Sequence, residues 1–144
     1  MHFHSPLDFL LEADAGSHRS SLSSPSGLVA EAVVALGFSS FDGLARHVAA
    51  LPFGRVVRSG DPLAVLREGR GTCSSKHHLL ATVAQGCGRF EVMLTVGLYA
   101  MSEANTPGVG AVLAAASLDA IPEARCYLTI DHQRLDFTGG PRGR

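Results

Sequence analysis

The sequence predicts an α+β fold in which a helical N-terminal half packs on an antiparallel β-sheet. Three observations carry this. Apolar residues recur at helical spacing as far as residue 86, and segments rich in Val, Leu and Thr with partial alternation follow. The order is helices first, then strands with one helix among them, which argues against the strict alternation of a parallel α/β sheet. A length of 144 residues makes residues 1–144 one domain. With 46% hydrophobic and 17% charged residues, the chain is too apolar for intrinsic disorder and needs no staples to hold a core.

The elements follow in order. Residues 1–27 form an N-terminal extension, with 2–12 packing as a strand or tail and the polar stretch 17–27, SHRSSLSSPSG, as a loop. Residues 28–36, LVAEAVVAL, are apolar nearly all round and stop at Gly37, so a buried helix is expected. Ser40 N-caps a second helix, with Phe41, Leu44, Ala45, Val48 and Leu51 at helical spacing and Pro52 past its end. Asp61-Pro62 opens a short helix that turns Leu63 and Leu66 inward and stops before Gly69. A longer helix starts at Cys73, carries Leu79, Leu80, Val83 and Ala84, and ends at Gly86. Residues 90–101 read as a strand, 105–110 as a turn and 109–116 as a further helix. Residues 126–130 and 135–138 read as two strands around a polar turn.

Charge and composition exclude several functions. A net charge of −1 lacks the basic footprint of a nucleic-acid binder. No apolar run reaches membrane-spanning length, and residues 7–11 are interrupted by Asp8 and lack a basic flank, so neither a membrane partner nor a signal peptide is expected. The expected compartment is the cytoplasm. The odd count of cysteines, Cys73, Cys87 and Cys126, agrees, since they cannot all pair internally.

Thr72-Cys73-Ser74-Ser75-Lys76-His77 concentrates the chemistry. Gly71 allows a tight turn, and Cys73 falls on the first turn of an apolar helix. Unpaired N–H groups and the helix dipole there favour a thiolate and can hold an oxyanion. A small buried thiol is the alternative. His77 and Lys76, four and three positions on, lean back over Cys73. His77 is therefore either a candidate base for Cys73 or a ring that orders the helix start by bonding backbone. His78 faces elsewhere and is expected to be exposed. Lys76 is the one lysine among twelve basic residues, and its side chain is expected to point back toward the loop before Cys73 and bond it. Cys73 and His77 are two potential zinc ligands, but no cluster supplies the others, and His2-x-His4 does no better, so no metal is expected.

The terminal stretch ARCYLTIDHQRLDFTG splits cleanly as a hairpin turning at Asp131-His132. Pairing Ile130 with Gln133 and Tyr127 with Asp136 puts Cys126, Leu128, Ile130, Leu135 and Phe137 on one apolar face. Arg125, Tyr127, Thr129, Arg134, Asp136 and Thr138 take the polar face. Position 125 then lies near the Asp136 carboxylate.

With GTCSSKH (71–77), Asp136-Phe137-Thr138 on the last strand, and LPFGR (51–55), ANTPGV (104–109) and IPEARCYL (121–128) between, the sequence resembles the transglutaminase-like superfamily, in a small bacterial branch. The resemblance implies a papain-like core, a thiol on a helix packed against a sheet that supplies His and then Asp. It implies acyl transfer or hydrolysis at amide or ester bonds of a peptide or small acyl substrate, with no cofactor. Carried over, Cys73 would be the nucleophile and Asp136 the orienting acid; Lys76 and Tyr127 are separate candidates for binding residues. The position that should hold His holds Arg125, which stays protonated and cannot act as a general base. Two functions stay open: a cysteine-dependent hydrolase or acyltransferase with rearranged machinery, or a catalytically degenerate module that binds a peptide or small ligand. An imidazole within reach of Cys73 would favour the first.

Overall fold

The computed structural model describes residues 21, 22 and 25–139. The expectations for residues 2–12, for His2 and His4, and for most of the 17–27 loop lie outside this range. Five helices precede or interrupt three strands: α1 (Leu28–Ala35), α2 (Phe41–Ala50), α3 (Ala64–Glu68), α4 (Cys73–Gly86), β1 (Met93–Met101), α5 (Gly110–Ala115), β2 (Ile121–Ile130) and β3 (Gln133–Leu135). The strands form one antiparallel sheet in the order β1-β2-β3, so the fold is α+β. No helix among the described residues is long and apolar enough to cross a membrane.

The core lies between α4 and its surroundings. Leu79, Leu80, Val83 and Ala84 of α4 meet Phe41, Leu44 and Val48 of α2, Val33 of α1, Val65 of α3, and Leu128, Ile130 and Leu135 of the sheet. α2 forms as its sequence asks: the Ser40 hydroxyl accepts from the Gly43 N–H at 3.1 Å, and its apolar stripe is buried. α1 departs from expectation. Only Ala30 and Val33 are buried, while Leu28 and Leu36 are largely exposed. It covers one flank of α4, and no second layer from the described residues lies over it, so among them an all-round apolar sequence ends as a surface helix. The third helix begins at Ala64, because the Asp61 carboxylate and carbonyl hold the preceding residues in a turn.

The hairpin turns at Asp131 and His132, with φ of 49° and 63°. Positive φ at both central residues marks a type I′ turn, the geometry that matches strand twist. The register is the expected one: Leu128 pairs with Leu135, Thr129 with Arg134 and Ile130 with Gln133. Strand lengths differ from expectation. β2 starts at Ile121 because β1 pairs along its whole length. β3 stops at Leu135 because the Phe137 N–H and the Thr138 carbonyl leave the ladder to bond side chains of α4.

Candidate functional site

α4 starts where the sequence places it. The Thr72 hydroxyl accepts from the Ser75 N–H at 3.4 Å, and the Ser75 hydroxyl accepts from the Thr72 N–H at 2.8 Å, a reciprocal cap. Gly71 serves close approach rather than an unusual turn: a Cβ there would sit 2.8 Å from Lys76 Cγ and 3.1 Å from Ser75 Oγ. Its N–H donates to the Pro52 carbonyl and its carbonyl accepts from Gly54, tying the cysteine loop to residues 52–54. Cys73, first in the helix, is half-buried.

The next turn of α4 holds the end of the sheet. His77 is fully buried. Its Nε2 accepts from the Phe137 N–H at 2.7 Å, so Nδ1 carries the proton and donates to the Cys73 carbonyl at 2.7 Å. Burial lowers the imidazole pKa despite the Cys73 carbonyl and Asp136, so the ring is neutral and its 3.8 Å approach to Asp136 is not an ion pair. Both nitrogens are engaged with backbone, which leaves neither free to take a proton from Cys73. Of the two roles open to His77, this is the one that orders the helix start. His78 is exposed, as expected.

Lys76 is fully buried too, with its side chain running past Gly71. Its ammonium does not bond the loop before Cys73. It donates to the Leu51 carbonyl, at the end of α2, and to the Thr138 carbonyl, both at 2.6 Å. Burial lowers its pKa, since two carbonyls replace water without bringing a counter-charge. Adjacent residues of α4 therefore grip residues 137 and 138, one by an acceptor and one by a donor.

That grip sets Asp136 in place. Its Oδ1 accepts from the Thr138 N–H at 2.9 Å and hydroxyl at 2.5 Å, and its Oδ2 accepts from Arg125 Nε at 2.8 Å. Burial would raise the carboxyl pKa, but the Thr138 bonds and the Arg125 charge overcome it and lower it from 3.8 to about 2. Burial likewise opposes the charge on Arg125, yet Asp136, with the Cys73 thiol and Tyr99 beyond, holds the guanidinium more firmly protonated than usual. Arg125 and Asp136 are thus brought together beside Cys73, as expected of positions 125 and 136. The half-buried Tyr127 ring lies across Gly97 of β1, with the Arg134 guanidinium 4.2 Å from its centre.

Cys126 was legible only as a core thiol. It is half-buried, and burial and then the neighbouring Cys73 thiol push its pKa up. Its place on the apolar face of β2, the face that α4 covers, is the signal that could have found it. Among the described residues no group of three His, Cys, Asp or Glu side chains has the spacing to hold a metal. The arrangement offers a half-exposed thiol at a helix start and, near it, a guanidinium paired with a carboxylate. No family model, curated protein or solved structure matches this chain.

Proposed function

We propose that the chain is a transglutaminase-like module that binds a peptide or small acyl ligand beside Cys73 without hydrolysing it. One observation carries the reading: both nitrogens of His77 are committed to backbone partners, and the residue in the position the resemblance assigns to histidine is Arg125. Thiol acylation needs a group that removes the thiol proton, and deacylation one that activates water. A neutral, doubly engaged imidazole and a guanidinium paired with a carboxylate supply neither. What they leave is the Nη groups of Arg125, which among the described residues make no hydrogen bond and can donate to a carboxylate or a polarised carbonyl next to the positive end of α4.

The test combines turnover with binding. Wild-type protein should hydrolyse an ester and amide panel no faster than Cys73→Ala. Carboxylate-bearing peptides should shift the backbone amide resonances of Thr72 to Ser75 in wild type and not in Arg125→Gln. Turnover that depends on Cys73 would replace this reading with the hydrolase. Peptides that leave those resonances unmoved would remove the binding module.

A further inference from the structure

We infer that Cys73 and Cys126 form a peroxide-reactive pair: a hydroperoxide oxidises Cys73, and Cys126 then closes a reversible disulfide with it. This chemistry concerns the two thiols alone and holds whether the surface beside Cys73 binds its ligand or turns it over.

Elements distant in sequence bring the two sulfurs together. Cys73 is the first residue of α4, and Cys126 lies in β2. Cys126 shares the apolar face of β2 with Leu128 and Ile130. Those two are buried in the core that α4 covers, while Ala124, in the other direction along the same face, is exposed. The cover therefore begins at Cys126, and α4 itself begins at Cys73. The His77 ring fixes this placement. Its Nδ1 donates to the Cys73 carbonyl and its Nε2 accepts from the Phe137 N–H, both at 2.7 Å. The hairpin register pairs Leu128 with Leu135, and two residues further on it sets Phe137 opposite Cys126. One imidazole thus spans from the Cys73 backbone to the strand position facing Cys126. The two thiols lie within hydrogen-bonding reach of each other, a spacing from which a small movement makes a disulfide.

The pair sits at the margin of the core. Both thiols are free and half-buried, and Val96 and Leu98, which continue the same face on β1, are 58% and 79% exposed. A small oxidant reaches such a site. Burial and then the adjacent Cys73 thiol push the Cys126 thiol up, so Cys126 stays protonated and Cys73 reacts first. Its sulfur attacks one oxygen of the peroxide and the O–O bond breaks. With hydrogen peroxide the other oxygen leaves as water, taking up the thiol proton, and Cys73 becomes a sulfenic acid. The Cys126 sulfur then attacks the Cys73 sulfur, the S–O bond breaks, and the hydroxyl leaves with the Cys126 proton as a second water. Each sulfur gives up one electron, and the two peroxide oxygens take both. A sulfenic acid carries no charge, so the repulsion that opposes ionisation of Cys126 is gone at the step that needs its thiolate.

Cys87 takes no part. It follows the last turn of α4, ~20 Å from Cys73 at about 1.5 Å per helical residue, beyond the span of a disulfide. The fold therefore selects one pair among the free cysteines.

The experiment adds one equivalent of hydrogen peroxide to the reduced full chain at neutral pH, quenches with iodoacetamide and maps peptides without reduction. The product should be a single chain lighter by about 2 Da before alkylation, with Cys73 joined to Cys126 and Cys87 alkylated. Dithiothreitol should return all the thiols. Cys126→Ala should instead hold a sulfenic acid on Cys73 that dimedone traps, and Cys73→Ala should consume peroxide at least about 10-fold more slowly. In concentrated urea the preference should disappear, because an unfolded chain favours the shorter loop between Cys73 and Cys87. A native product joined through Cys87, joined between chains, or left with Cys73 and Cys126 unlinked overturns the proposal. So does a link between Cys73 and Cys126 that forms equally well in urea.

Discussion

Replacing Asp136 by Asn tests how the end of the sheet is held. The substitution keeps the volume and one oxygen to accept from the Thr138 N–H, but removes the charge that Arg125 and the Thr138 hydroxyl bind. The magnitude follows from linkage. A carboxyl that titrates at 3.8 when unfolded and at about 2 when folded stabilises the fold, in its ionised form, by ~2 kcal/mol at 1.36 kcal/mol per unit. The folded pKa is the lower one. The contribution is therefore fully present well above 3.8 and is lost as pH falls through 3.8 toward 2. The Arg125 side chain is 33% exposed, so solvent screening limits the ion pair's own share to ~1 kcal/mol or less, and the Thr138 bonds supply the rest. The assay is urea unfolding of wild type and Asp136→Asn at several pH values, with Arg125→Gln and the double variant closing a cycle. Near pH 7 the variant should be ~2 kcal/mol less stable, and the difference should shrink steadily below about pH 4. A difference near zero at pH 7, or one that stays constant to pH 2.5, would refute the reasoning.

Other predictions test the neighbouring residues. His77 is buried neutral with its pKa lowered, so the unfolded chain binds a proton that the folded chain refuses, and stability should fall as pH drops below 6.5. His77→Gln should cost ~2 kcal/mol at pH 7 but flatten that slope; urea midpoints at pH 7 and 5 check it, and an unchanged slope would deny the linkage. Lys76→Met orphans the Leu51 and Thr138 carbonyls, while relief of a desolvated ammonium offsets part of the loss, so a net ~1–3 kcal/mol should appear in unfolding. Cys73 should be the first thiol alkylated by iodoacetamide near neutral pH, because burial pushes the Cys87 and Cys126 thiols up. Peptide mapping reads this directly, and faster labelling of Cys87 or Cys126 would count against Cys73 as the reactive thiol.

What the sequence determined by itself is local. Caps and periodicity placed α2 and α4, with Ser40 and Thr72 at their starts, because a cap needs only residues three apart. The apolar and polar faces around Asp131-His132 set the hairpin register, because a slip of one residue would exchange the faces. The meeting of Arg125 with Asp136 follows from that register. Other features depended on contacts between distant parts of the chain. His77 was chemically open in the sequence, and its role was settled by the Phe137 N–H, 60 positions away. Lys76 bonds carbonyls 25 and 62 positions away, and a carbonyl carries no side-chain signature to be read. β3 ends early because α4 claims the backbone that would have continued it. The exposure of α1, like that of the outer face of β1, depended on how many layers the fold stacks. Periodicity says which residues face inward, but only tertiary packing decides whether another layer is there to meet them.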